Sequence, residues 1–168
     1  MTDSTATATQ LTIRDATPAD ISLIQQFIRE LAEYERAPES AIAAREDLLR
    51  YGFGPDRKYR CLMAEWEGTP AGFALFFNNF STWLGRPGIY LEDLFIRPEF
   101  RAKGIGRAMM RHLAQIALRE NCYGVRWQVL DWNEPAIRFY EGFGAEKQGD
   151  WVSYRLMGDA LKRFAGEP

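Results

Sequence analysis

The chain has 168 residues, 46% of them apolar, and a chain of that size buries roughly 70% of the surface its unfolded form exposes, so it folds without a disulfide or metal staple. A net charge of -2 excludes the overall basic field by which nucleic-acid binders engage phosphates, and no apolar run approaches the ~20 residues of a membrane span. One histidine, His112, and two distant cysteines, Cys61 and Cys122, with no CxxC, nearly exclude a zinc site or a His-based triad.

Residues 1–10 have neither a basic n-region nor an apolar h-region and read as a short disordered leader on a cytoplasmic protein, with residues 11–168 as a single domain. Leu11 to Asp15 reads as a strand. Thr17-Pro-Ala-Asp20 supplies helix-start chemistry, and Ile21, Ile24, Ile28 and Leu31 recur at helical spacing on one apolar face. That helix presents Tyr34-Glu35 at its end. A short helix from Arg45 to Tyr51 stops at Gly52-Phe-Gly54-Pro55. Tyr59 to Trp66 and Ala71 to Asn78 flank Glu67-Gly-Thr-Pro70 and predict an antiparallel hairpin; Ile89 to Arg97 predicts a third strand after the loop Ser81 to Gly88. Gly104 opens a helix with Ile105, Met109, Leu113 and Ile116 in one stripe. Gly124 to Leu130 reads as a buried strand, Asn133-Glu-Pro-Ala136 as the capped start of a helix through Tyr140, Asp150 to Met157 as a strand, and Asp159 to Ala165 as an amphipathic helix. This order is α/β, with a mixed, mostly antiparallel sheet flanked by helices.

Chemistry concentrates between Tyr90 and Arg107. Arg101, Lys103 and Arg107 surround Gly104 and Gly106 at a helix start, where glycine lets a ligand approach the backbone and the first helical amides lack helical partners. Such a loop suits an anion, most naturally phosphate, although a plain turn with solvated basic residues gives the same letters. The P-loop pattern is absent. A dinucleotide fingerprint is not met convincingly either, because Met109 stands where a third small residue is needed and no acid stands about 20 residues on at the end of the next strand.

Glu92-Asp93 is an unusual pair inside a strand made of Tyr90, Leu91, Leu94, Phe95 and Ile96, since one of the two must face a covered side. A covered Glu92 would have its pKa raised toward neutrality and could accept a proton; the alternative, more natural for Asp93, is an ion pair with an arginine. Tyr140 shares a helical face with the small Ala136, which leaves room for a ligand beside the phenol, whereas Ile137, Phe139 and Tyr140 could equally be core residues. Cys61 and Cys122 read as packed thiols rather than nucleophiles, and His112 carries no role.

Arg101-Ala-Lys-Gly104-Ile-Gly106 resembles the cofactor signature of the Gcn5-related N-acetyltransferase (GNAT) superfamily, Arg/Gln-x-x-Gly-x-Gly/Ala. Leu31-Ala-Glu-Tyr-Glu35, Asp47-Leu-Leu with Gly52-Phe-Gly54, Ser81-Thr-Trp83, Tyr90-Leu-Glu-Asp93 and Leu130-Asp-Trp-Asn-Glu-Pro135 with Phe139-Tyr140 resemble its spermidine/spermine (diamine) and thialysine acetyltransferase branch, over about Leu11 to Leu161. The resemblance implies acetyl-CoA as donor, a primary amine as acceptor, no metal, and a homodimer. It implies that Leu94, Phe95 and Ile96 pair with the pantetheine arm, and that Arg101, Ala102, Lys103, Gly104, Ile105, Gly106 and Arg107 cradle the pyrophosphate. Asn133 and Ala136 would line the thioester end. Tyr140 matches the position that protonates the departing thiolate and Glu92 the carboxylate that takes the amine proton through water, while Tyr34, Glu35, Trp83 and Glu92 match acceptor-binding positions. Ser81 stands where polyamine-selective members carry an acid, which points toward thialysine-like acceptors, and Ala102 stands where many relatives have glycine. Two other readings remain: a non-catalytic acyl-CoA sensor and a transferase acting on a protein amine.

Overall fold

The computed structural model describes residues 10–149 and 152–166, and the leader read at residues 1–10 lies outside them except for Gln10. The chain divides into two compact units, residues 1–128 and 129–168.

In the first unit five strands line up in sequence order: β1 (Leu11–Asp15), β2 (Arg60–Trp66), β3 (Thr69–Ser81), β4 (Arg86–Ile96) and β5 (Val125–Arg126). All neighbours are antiparallel except β4 and β5, which run parallel, so the sheet is mixed as the alternation of strands and helices predicts. The β2–β3 loop is tighter than the composition of residues 67–70 suggests. Trp66 pairs with Thr69, leaving only Glu67 and Gly68, both at positive φ. Two consecutive left-handed residues match the right-handed twist of the strands they join.

Helix α1 (Ile21–Tyr34) follows a capping box between Thr17 and Asp20, and α2 (Arg45–Phe53) follows an extended Ala44. Ile24, Phe27 and Leu31 of α1 bury against Cys61, Met63, Phe73, Leu75 and Phe95 of the sheet, with Phe27 stacked on Phe73 at 5.5 Å. Helix α3 (Ile105–Arg119) buries the predicted stripe Ile105, Met109, Leu113 and Ile116, and it packs on β4. Arg97, just past β4, closes a two-pronged bond on Glu30 of α1 (Nε to Oε2 2.9 Å, Nη2 to Oε1 2.8 Å) and lies over the Phe27 ring at 4.7 Å. Planar two-point pairing of this kind fixes orientation as well as distance. It therefore sets the exit of β4 against α1.

The ladder between β3 and β4 slips by one residue. Leu75 faces Asp93 and Phe76 faces Leu91, so Glu92 is an extra residue with no partner across the pair. A bulge of this kind interrupts the alternation of faces. Phe95 shares the α1 side with its partner Phe73, and Asp93 shares it with Leu75; Leu91 instead shares the face of Phe76. The bulge also marks the end of the ladder with β5, which pairs only at Ile89 and Tyr90. The predicted strand Gly124–Leu130 is reduced to Val125 and Arg126, the two residues that pair with β4 before its bulge. Among residues 10–128, no strand lies on that side of β4 from Asp93 to Ile96.

The second unit holds α4 (Glu134–Glu141) and α5 (Gly158–Ala165), as the capping and amphipathic patterns predict. The strand expected over Asp150–Met157 is not formed in the described part: Asp150 and Trp151 lie outside it, and Val152–Met157 is irregular. Val152 and Tyr154 are 76% and 93% exposed. Alternating apolar residues make a strand only when a ladder takes their amides, and the described residues from 129 to 166 contain no strand to supply one.

Candidate active site

The start of α3 is built by two left-handed residues. Gly104 is the helix N-cap at φ 78°, and Ala102 adopts φ 61°. Glycine takes that conformation at no steric cost, while alanine sets its Cβ against the carbonyl. A Cβ on Gly104 would meet nothing within 4 Å, so the space above the loop is open. Ala108 is the first residue of the helix to donate back, to the Gly104 carbonyl at 3.0 Å. The amides of Ile105 and Gly106 thus open the helix at its positive end, where an anion gains from both hydrogen bonding and the helix dipole. An open loop with outward amides and cationic side chains fits a pyrophosphate.

The loop cations rest on aromatic rings. Arg101 lies over Tyr34 at 4.8 Å and over Phe95 at 5.8 Å, and its Nε donates to the Ile96 carbonyl at 2.9 Å. Lys103 Nζ lies 5.0 Å from the centroid of Trp66. Neither Trp66 nor the Arg101–Tyr34 contact was legible in the sequence, because cation and ring come from distant segments.

Three carboxylates, Glu35, Glu92 and Asp93, lie close enough to feel one another's charge. Asp93 is the covered member of the predicted pair, and Glu92, at the bulge, is exposed. This reverses the expectation that Glu92 carries the covered carboxyl: the slipped register turns Asp93 to the α1 side. The Asp93 carboxyl is pushed up to about 7, first by loss of water and then by the charges of Glu92 and Glu35. Removal from water also raises the Glu35 carboxyl, although the residue as a whole is exposed. Among the described residues no arginine or lysine forms an ion pair with Asp93 or Glu92. The ion-pair alternative for the two is absent there.

The structure thus brings together Tyr34, Glu35, Glu92, Phe95, Ile96 and Arg101. Trp83 is apart from them. It is 87% exposed in the β3–β4 turn, and Ser81 is six ladder positions from Leu75, the partner of Asp93, roughly 20 Å along the strand. Leu94 lies in β4 past the bulge, between the covered positions 93 and 95.

In the second unit Asn133 is buried and caps α4, its side-chain oxygen accepting from the Ala136 amide at 3.3 Å. Its structural role is the one the Asn-Glu-Pro spacing predicts, with proline in the first turn. Ala136 and Tyr140 are both half-buried on α4, and the Tyr140 ring meets Phe139 and Phe143 at 5.1 and 6.1 Å. The phenol is held by aromatic neighbours on its own helix and the turn after it.

Cys61 is buried, with its thiol pushed well above the ordinary range by loss of water, and Cys122 is raised for the same first reason. A nucleophilic thiol needs the opposite shift.

A model of the acetyltransferase (GNAT) family matches residues 24–145. The thialysine N-epsilon-acetyltransferase of Bos taurus is 38% identical over 167 residues, covering 92% of this chain and 97% of its own. The protein of the same name from Caenorhabditis elegans is 33% identical, with coverage of 90% and 94%. Among solved structures, an integron cassette protein from the mobile metagenome of V. cholerae matches with a TM-score of 0.79 at 29% identity, over 94% of this chain and 99% of that one. With an anion loop at a helix start, a bulged strand and a family match over most of its length, the chain belongs to the GNAT acetyltransferase family and is an N-acetyltransferase.

Proposed function

We propose that the protein moves the acetyl group of acetyl-CoA directly to a primary amine of a small molecule, a thialysine-like amino acid or a di- or polyamine, within a ternary complex. The observation that carries this reading is a group of three carboxylates, Glu35, Glu92 and Asp93, linked through Glu35 to its chain neighbour Tyr34, on whose ring the loop cation Arg101 rests. A cationic acceptor is drawn to the first group and an anionic donor to the second, which sets opposite charges at the two ends of one reaction. Names of similar proteins support the thialysine-like amine as the first acceptor to try.

An ammonium has no lone pair, so a base must take its proton before nitrogen attacks the thioester carbon. Glu92, exposed at the bulge, is the residue we assign to this step, through a water. A C–N bond forms and the C–S bond breaks. Tyr140 donates its phenolic proton to the departing thiolate. Of the two protons the ammonium surrenders, one leaves through Glu92 to solvent and the other replaces the proton Tyr140 gives up. Asn133 and Ala136 line the thioester end in this reading, and the amides and cations from Arg101 to Arg107 hold the pyrophosphate. The family resemblance supports a cytoplasmic homodimer in which residues 11–168 work as one catalytic domain.

The test is release of CoA when acetyl-CoA is added to thialysine, lysine, putrescine and spermidine in turn. Turnover on one of them supports the reading and names the acceptor class. In that assay Tyr140→Phe lowers turnover with little change in acetyl-CoA affinity, and Glu92→Gln suppresses the alkaline rise of rate. Acetyl-CoA binding with no turnover on any amine would overturn the small-molecule assignment in favour of a protein amine.

A further inference from the structure

Arg101 belongs to the anion loop, yet its guanidinium is not directed by that loop. It is held on three sides by other parts of the first unit: the Tyr34 ring at 4.8 Å, the Phe95 ring at 5.8 Å and the Ile96 carbonyl at 2.9 Å from Nε. Tyr34 is the last residue of α1, and α1 is fixed to the exit of β4 by the fork of Arg97 on Glu30. The ring therefore stands on a rigid support, whereas Arg101 sits on an exposed loop that includes Ala102 in a left-handed conformation. An exposed arginine with several rotatable bonds loses much of its freedom when it binds an anion, and a ring that holds it beforehand removes part of that cost.

We infer that Tyr34 is a positioning residue for the donor: its ring orients Arg101 toward the pyrophosphate, so that Tyr34 governs acetyl-CoA affinity. This goes beyond the acceptor role implied for Tyr34 by resemblance, and it rests on the proposed donor reading.

The experiment is a double-mutant cycle on acetyl-CoA binding, measured by calorimetry in the absence of any amine, so that acceptor contacts cannot contribute. Tyr34→Leu weakens acetyl-CoA binding about two- to five-fold, the size of an exposed cation–π contact. Tyr34→Phe, which keeps a ring, retains wild-type affinity for acetyl-CoA. In the Arg101→Gln background, Tyr34→Leu has no further effect. In steady-state assays Tyr34→Leu raises the KM for acetyl-CoA, and thermal melts of the wild-type protein and every variant show whether each is folded. Unchanged affinity in a folded Tyr34→Leu protein, or an equal loss in both Arg101 backgrounds, overturns the inference and leaves the donor reading intact. Failure of the wild-type protein to bind acetyl-CoA overturns the donor reading itself and the inference with it.

Discussion

Asp93 faces Leu75 across the β3–β4 ladder, one residue past the unpaired Glu92, so a carboxylate looks onto the same side as the buried aromatic cluster of Phe27, Phe73 and Phe95. Its position has a cost that depends on pH. The carboxyl is pushed up to about 7 from 3.8, and between those values the folded protein holds a proton that the unfolded chain has released. Stability from this group is therefore full below about pH 4 and is lost as pH rises through 7. Asp93→Asn removes that loss. Denaturant unfolding at pH 8 should show the variant about 1–2 kcal/mol more stable than wild type, with the difference shrinking toward pH 4. A difference of the same size at both pH values would contradict the assignment.

Asp20 titrates in the opposite sense. Arg14 grips it at 2.8 Å through each of two nitrogens, and the Thr17 amide donates to it at 2.8 Å. These bonds hold its carboxyl at about 2. With a folded pKa below the unfolded one, its contribution is present above about pH 4 and disappears as pH falls through 2. Asp20→Asn is expected to cost about 1–2 kcal/mol at pH 7. An acid titration followed by far-ultraviolet circular dichroism should find that gap closing near pH 2.

The anion loop carries strain at one residue and relieves it at another. Ala102 at φ 61° is an L residue in the left-handed region, two positions before Gly104 at φ 78°. Ala102→Gly should raise stability by about 0.5–1 kcal/mol, and Gly104→Ala should lower it by about 1 kcal/mol. Since a Cβ on Gly104 meets no atom within 4 Å, the second cost is wholly conformational. Thermal melts of the two variants should move in opposite directions, with ΔTm of the same sign for both counting against this account.

The two thiols differ in access. Cys61 is buried with its Sγ toward the Leu62 carbonyl, and Cys122 is only partly covered beside Asn78. A thiol reagent at pH 8 should label one cysteine in the native protein and two after unfolding. Labelled protein should retain its transferase turnover, because neither thiol stands in the proposed reaction. Loss of activity in step with labelling would bring back a covalent acetyl-cysteine route.

The amino-acid sequence by itself determined the local elements. Helical spacing of Ile21, Ile24, Ile28 and Leu31, and of Ile105, Met109, Leu113 and Ile116, forces one face of α1 and α3 into a core, although Ile28 is only half-buried and Phe27, outside the predicted stripe, is fully buried. Asn133 before Glu-Pro caps α4 wherever that helix sits, because the bond from Ala136 spans three residues. The glycines and cations from Arg101 to Arg107 likewise marked the anion loop, and separated motifs marked the family. Tertiary structure alone decided which carboxylate is covered, since the bulge at Glu92 exists only as a slip between β3 and β4 and cannot be read from either strand. It decided that Val152–Met157 forms no ladder in the described residues, although its alternation suits one. And it decided where Arg101 points: residues 34, 95 and 101 meet because α1 is packed on the sheet through Phe27 and Leu31 and pinned to the exit of β4 by Arg97. Local signals follow from backbone and capping chemistry within a few residues, whereas contacts across long sequence separations depend on how the elements pack.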